Sequence, residues 1–249
     1  SPVDRPRTRA ETALTDWFRT RSPHFAGALA AARHKAFEAF DRTGLPHRRV
    51  EAYKYSDLRT RLADLPPPAE PADEAATRAA LEAVGALGDL APIRLVVANG
   101  RFLPALSDDV AGIDGLTVAA LSDVDAPAGL GALSRTSEDP LALLNASLFE
   151  GGVAIAVAEG AVIDRPLEIV HAVAGPAAAT AMPRALVSVG EGASVTLLER
   201  HGAATVEGNV VNALVELDVA EGAGVTFVKM HGEGPVGSHF GTLVTRLAD

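Results

Sequence analysis

The sequence predicts a mainly β protein: a right-handed parallel β-helix, flattened into a two-sided solenoid and preceded by an N-terminal α-helical region. Three observations carry this expectation. The stretches AEGAVIDRPLEIVH, GEGASVTLLERH and AEGAGVTFVKMH open alike and close alike, with Glu-Gly-Ala turns at 159, 191 and 221, spaced by 32 and 30 residues. A fixed period near thirty is the length of a solenoid coil. Within VVNALVELDV, Val211, Ala213, Val215, Leu217 and Val219 alternate with more polar residues, as in a strand buried on one face. Residues 1–65, by contrast, carry helical periodicity and helix punctuation.

The N-terminal helical region (1–65) divides into two helices. In TRAETALTDWFRT, Thr8 and Glu11 form a capping-box pair, and Leu14, Trp17 and Phe18 share an apolar face. SPHFAGALAAARHKAFEAFDRTG predicts a second helix, with Ser22 as its cap and Pro23 at its first position. Phe25, Leu29, Ala32, Ala36, Phe37 and Phe40 form its stripe. Gly44 supplies the left-handed stop, and Pro46 prevents continuation. Residues 66–92 read as a linker and a helix: PPPAEP is stiff, and ADEAATRAALEAVGAL is helical.

Residues 93–249 form a β-rich region that leads into the β-helix at about 151. IRLVVANG and GLTVAAL are short β-branched runs bounded by turn residues. SEDPLALLNASLFEGG predicts one more short helix, with Ser137 as candidate cap and Leu141, Leu144 and Leu148 on one face. Each later coil then reads as strand, Glu-Gly-Ala turn, strand and return segment. Inward Val, Leu and Ala suit a narrow core, in keeping with 4% aromatic content. GSHFGTLVTRLAD looks like another coil beginning, so the β-helix is expected to be incomplete at the C-terminus.

Composition excludes several function classes. The chain has no cysteine, which removes disulfides, a Cys-ligated zinc or cluster and a Cys nucleophile. That fits a reducing cytoplasm. The first twenty residues are Arg-rich and lack the apolar stretch of a signal peptide, and no apolar run approaches a membrane span. The net charge of −10 is uneven: residues 1–61 hold 13 Lys and Arg against 7 Asp and Glu, so the head is basic and the rest acidic. The basic residues are interleaved with acids and accompany no nucleic-acid motif, so no nucleic-acid partner is expected.

Few residues suggest chemistry. His171, His201 and His231 are spaced by 30 and 30, each closing the strand after a Glu-Gly-Ala turn. Stacked coils would bring them about 4.8 Å apart, close enough to share a metal. No carboxylate recurs beside them at a ligand-like position, so they read as repeating corner residues and no metal site is expected. Asp108, Asp109, Asp123 and Asp125 read as turn and helix caps rather than calcium ligands. VANGRF lacks a phosphate-loop or dinucleotide pattern, and Ser147 and Ser188 have no histidine in context. No catalytic residue emerges. Tyr53 and Tyr55 flank Lys54; an extended segment would aim both rings one way, and a helical one would splay them.

The stretch GLPHRRVEAYKYSDL (44–58) resembles a signature of the SufD family through Gly44, Leu45, Pro46, Arg49, Glu51, Lys54, Tyr55 and Leu58. Tyr53 stands where the family usually has Trp, and Ser56 where it has Thr. LLNASLFEGGVAIAVAEGAVIDRPLEIVH (143–171) resembles the family's entry into its β-helix. The resemblance implies a cytoplasmic, non-enzymatic scaffold subunit that works with SufB-like and SufC-like proteins in iron–sulfur cluster assembly. It implies no cofactor on this chain alone, with the cluster held at the level of the complex. A homodimer through an open strand edge is a further expectation, and a membrane is not. The family's C-terminal docking and cluster positions are not in this sequence, so no ligand is carried over. Two alternatives remain: a β-helix enzyme acting on polysaccharide, and a non-catalytic interaction module whose histidine ladder is a weak metal site.

Overall fold

The computed structural model describes residues 6–26, 29–122, 138–202, 206–232 and 237–248. Helix α1 (Arg9–Arg21) begins at the capping box. Glu11 N donates to Thr8 Oγ1 at 3.2 Å and Thr8 N to Glu11 Oε2 at 2.8 Å. The other Glu11 oxygen accepts from Leu45 N at 2.8 Å, so one buried carboxylate serves two chain segments. The second helix differs from expectation. Ser22 closes α1, Pro23 lies in a single 3-10 turn (Ser22–His24), and α2 spans only Ala30–Thr43. Phe25 is extended instead of helical, and its ring meets Phe18 edge-on at 5.8 Å. That packing, and not the intrinsic helix signal, decides the local backbone. Gly44 ends α2 at φ 67°, where a side chain would be strained.

A short α3 (Leu58–Arg61) and α4 (Glu74–Val84) follow, capped by Asp57 and Asp73. The proline-rich stretch between them is not free. Ala69 N donates to Thr180 O at 2.8 Å, and Thr180 N to Pro67 O at 2.7 Å. Helix α5 (Pro140–Leu148) is capped by Asp139, whose carboxylate accepts from Leu141 N and Ala142 N at 2.9 and 3.0 Å. Ser137, the candidate cap, lies outside the described residues.

The strands form two sheets. One holds, in spatial order, β10 (Gly224–His231), β8 (Ser194–His201), β5 (Leu167–Ala172), β1 (Ile93–Ala98) and β2 (Arg101–Phe102). The other holds β11 (Ser238–Leu247), β9 (Val210–Val219), β7 (Arg184–Val189), β4 (Val153–Val157) and β3 (Leu116–Ala120), with β6 (Thr180–Ala181) beside β9. From β4 onward the chain alternates between sheets, apart from short β6, and β4–β7–β9–β11 in one sheet and β5–β8–β10 in the other are parallel neighbours. Gly160, Gly192 and Gly222 turn the Glu-Gly-Ala corners at φ 68, 64 and 67°. The corners also bond to one another: Gly160 N donates to Glu191 O, and Gly192 N to Glu221 O. At the other end, Asn99 and Gly100, at φ 46 and 79°, make the two-residue turn between antiparallel β1 and β2.

Between the sheets lies an apolar core that includes Leu95, Ile155, Leu167, Ile169, Val187, Leu197 and Val215. Each fully buried Leu or Ile there is worth about 1.5–3 kcal/mol of transfer free energy. A second core joins the helical head to α5 through Leu14, Phe18, Phe37 and Phe40 against Leu143, Leu144 and Leu148. Phe18 and Phe37 stack at 3.9 Å. The expectation of a mainly β chain is corrected: the fold is mixed α and β, because the head and α4 are helical and α5 is packed into the body. No helix among the described residues is long and apolar enough to cross a membrane.

Candidate functional site

The GLPHRRVEAYKYSDL segment splits into a buried half and an exposed half. Leu45 is buried and holds Glu11 through its N–H, and Pro46 O accepts from Leu58 N at 3.1 Å. Glu51–Tyr53 forms a 3-10 turn, which splays the two tyrosines. Tyr53 Oη donates to Asp139, the carboxylate that caps α5, at 2.5 Å. Burial, then this hydrogen bond and the carboxylate's charge, push the Tyr53 phenol above its usual range. Tyr55 is 92% exposed. Lys54 reaches Glu51 at 2.9 Å and lies 5.2 Å over the Tyr55 ring, while the Arg49 side chain is also exposed. Tyr53 is thus a structural pin, and Arg49, Glu51, Lys54 and Tyr55 form a surface patch.

A denser constellation lies between the sheets, and strand register builds it. Ile169, Glu199 and Lys229 are neighbours across β5, β8 and β10, and so are His171, His201 and His231. Side chains two apart share a face. Leu167, Leu197 and Phe227 therefore point into the apolar core, and Glu199, Lys229 and the three histidines continue that same inner face toward the strand ends. The rings stack, with centroids 4.4 Å apart for His171 and His201 and 5.2 Å for His201 and His231. His239 enters from β11 in the facing sheet, its ring 4.1 Å from His201 and 4.3 Å from His231. The four histidines, Asn209 and Val211 line a pocket of about 150 Å³.

Glu199 is the hub. His201 Nε2 lies 2.8 Å from its Oε1, His171 Nε2 lies 3.5 Å from the same oxygen, and Lys229 Nζ lies 2.9 Å from Oε2. Glu199 is 1% exposed, and His171 and His201 are each 6% exposed. Burial is the main cause holding His171 and His201 well below the usual imidazole value, with charge on His201 adding for His171 and charge on His239 for His201. Glu199 pulls His171 the other way, and Lys229 reinforces the depression of both. His239 is pushed down to about 4 by burial, His231 and Lys229. At neutral pH these three rings are uncharged and each carries a lone pair. Both ring nitrogens of His171 and Nε2 of His239 are buried without a hydrogen-bond partner. Such atoms each cost about 1–3 kcal/mol.

Glu199 is therefore a carboxylate beside the histidines, where the thirty-residue spacing alone shows none. Glu199 stands two residues before His201, and period-two reading of LLERH would have placed both on one face. Lys229 follows from the same count, but His239 does not, because it arrives from the other sheet. Other candidates are not drawn in. Asp108 accepts from Arg94 N at 2.8 Å and Asp109 from Ala111 N at 2.9 Å, both backbone-capping roles. Asp123 and Asp125 lie outside the described residues. Ser147 donates to Leu144 O within α5, and Ser188 is exposed on β7. Asn99 spends its amide on Glu70 O and Ala174 O, a structural clasp on the hairpin.

Comparison with known proteins places both regions. Residues 11–66, which contain the 44–58 signature, match the family described as SufBD protein N-terminal region. Residues 171–249, which contain the four pocket histidines, match the SUF system FeS cluster assembly, SufBD core domain. The chain is 29% identical over 206 residues to the iron–sulfur cluster assembly protein SufD of Escherichia coli (strain K12). That match covers 80% of this chain and 45% of the relative, so the chain spans less than half of the relative's length. A SufBD N-terminal region followed by SufBD core, with SufD as a curated relative, makes this chain a SufD-like member of the SufBD family.

Proposed function

We propose that this chain is a scaffold subunit of a SufBCD-type iron–sulfur cluster assembly complex, working with SufB-like and SufC-like partners and not itself an enzyme. The observation that carries the reading is the pairing of two family regions in one chain, with the 44–58 signature inside the first. Asp108 and Asp109, the paired loop carboxylates, accept from the backbone N–H groups of Arg94 and Ala111, as turn-capping residues do. The iron–sulfur cluster is cargo of the complex in this reading, and the compartment is the cytoplasm.

The finer architecture belongs to the same proposal. Strands that alternate between two sheets with a coil of about thirty residues fit a flattened parallel β-helix, and the rule for parallel crossovers makes it right-handed. The proposed division is a helical head to 65, a linker and helix over 66–92, and a β-rich body from 93 that becomes solenoid near 151. In the longer proteins of the family, further coils would stack on β10 and β11, the outer strands here.

The test is co-expression of the natural full-length protein with SufB and SufC of its own organism. A stoichiometric complex retained through size-exclusion chromatography is the expected result. Capture of neither partner overturns the assignment and leaves only a shared fold.

A further inference from the structure

We propose that His171, His201 and Glu199 form a binding site for one borderline divalent transition-metal ion, of the class of Fe²⁺, Co²⁺ and Zn²⁺, with His239 as a neighbouring fourth donor. This inference rests on side-chain geometry and stands whether or not the assembly reading holds.

One ligand atom from each of the three residues can be chosen so that all lie within 4.8 Å of one another. Donors bound at about 2.0–2.1 Å in a tetrahedral shell sit roughly 3.3 Å apart. The distances from Glu199 Oε1 to His201 and His171 Nε2, 2.8 and 3.5 Å, straddle that value. The two rings are stacked within 10° of parallel, so capture requires an imidazole to turn about its Cβ–Cγ bond until both lone pairs converge beside Glu199. The adjoining pocket supplies the space for that turn and for an ion with a water.

The buried atoms point the same way. His171 is deeply buried yet has no hydrogen-bond partner on either ring nitrogen, and His239 Nε2 is also unpaired. An ordinary core histidine is oriented by a hydrogen bond on at least one nitrogen. A metal would satisfy one of these atoms directly. The donor set selects the ion: imidazole nitrogens with one carboxylate suit Fe²⁺, Co²⁺ and Zn²⁺, whereas Mg²⁺ and Ca²⁺ demand oxygen ligands. Lys229 has a defined part. Its ammonium sits 2.9 Å from Glu199 Oε2 and neutralises the carboxylate, yet it is 27% exposed on a flexible stem. An arriving dication repels it, and Lys229 swings toward water. The lysine therefore competes with the ion for Glu199.

The test uses the untagged chain, stripped with chelator and titrated with Co²⁺ alone, then with Zn²⁺ and Mg²⁺. Visible Co²⁺ absorption and metal content after dialysis are the readouts. One equivalent of Co²⁺ in a low-coordinate spectrum, displaced by Zn²⁺ and not by Mg²⁺, is expected. Glu199→Gln, His171→Gln and His201→Gln should each weaken Co²⁺ binding at least tenfold, and Lys229→Met should tighten it several-fold. Absence of stoichiometric Co²⁺ and Zn²⁺ uptake overturns the site, as does unchanged affinity in the histidine variants. Should those variants unfold, Glu199→Gln and Lys229→Met decide: opposite shifts support the site, and unchanged affinity in both overturns it.

Discussion

Glu168 and Glu199 occupy adjacent strands one register position apart, and they face opposite sides of the same sheet. Both are almost wholly buried, at 0% and 1% exposure. Glu168, on the outer face, is closed in by two arginines: Arg94 Nε reaches one oxygen at 2.9 Å and Arg200 Nη1 the other at 2.8 Å. Those arginines also bond the carbonyls of Val84, the last residue of α4, and of Gly85 just after it, and so cap its C-terminus. Glu199, on the inner face, has neutral histidines on one oxygen and a partly exposed lysine near the other. One glutamate is locked into a complete network. The other sits among unpaired lone pairs beside a pocket. A fold that fully satisfies one buried carboxylate and leaves its neighbour's surroundings open has spent stability at the second position, which is how binding sites differ from struts.

The comparison can be broken first by truncation. Glu168→Ala strips two part-buried guanidinium groups of their charge-assisted bonds to a wholly buried carboxylate, and we expect a loss of about 3 kcal/mol in denaturant unfolding. Glu199→Ala leaves Lys229 free to reach water and should cost no more than about 1–2 kcal/mol. Equal losses would mean that Glu199 is as structural as Glu168.

Acid sharpens the contrast. His171, His201 and His239 have folded-state values below the unfolded value, so the unfolded chain binds more protons as pH falls below about 6.5. The stability they contribute is present above that value and is lost toward His239's value of about 4. The slope is at most about 1.4 kcal/mol per pH unit for each fully depressed histidine, with Glu199 opposing it for His171 and Lys229 and His231 promoting it across the cluster. Denaturant midpoints of metal-free protein at pH 7.5, 6.0 and 5.0 should fall in that order, and His171→Gln should flatten the fall. A midpoint that does not move below pH 6.5 would show that the rings are not held neutral.

The two tyrosines repeat the contrast at smaller scale. Tyr53→Phe removes the bond to the Asp139 cap and should cost about 1–2 kcal/mol in thermal or denaturant unfolding. Tyr55→Ala touches an exposed ring and should change stability by less than about 0.5 kcal/mol. If instead Tyr55→Ala weakens capture of a partner without lowering stability, the exposed patch is a contact surface.

Much of the fold could be read from local signals. The Thr8–Glu11 box, the Gly44 stop and the Glu-Gly-Ala corners are short-range chemistry, and each sits where its residues demand. Long-range packing was invisible. Phe25 leaves the helix to meet Phe18, which Ser22 and Pro23 could not reveal. Asn145, in an apolar run, turns out to bond Pro183 O and Asn212 O beneath α5, beside the buried Arg184–Glu216 pair. In the candidate site, the thirty-residue histidine spacing could be counted along the chain. The part Glu199 plays needed a second count along the strand, and that of His239 needed the facing sheet.

The bonds from Ala69 and to Pro67 bear on how the protein meets a protease. PPPAEP has the composition of a cleavable tether, but its backbone is already paired with Thr180 in the manner of a sheet edge. Proteases bind their substrates as an added strand, and a segment that has already found one is a poor substrate. Nicking there requires those bonds to open first, so limited digestion should spare this segment and leave the head attached to the body.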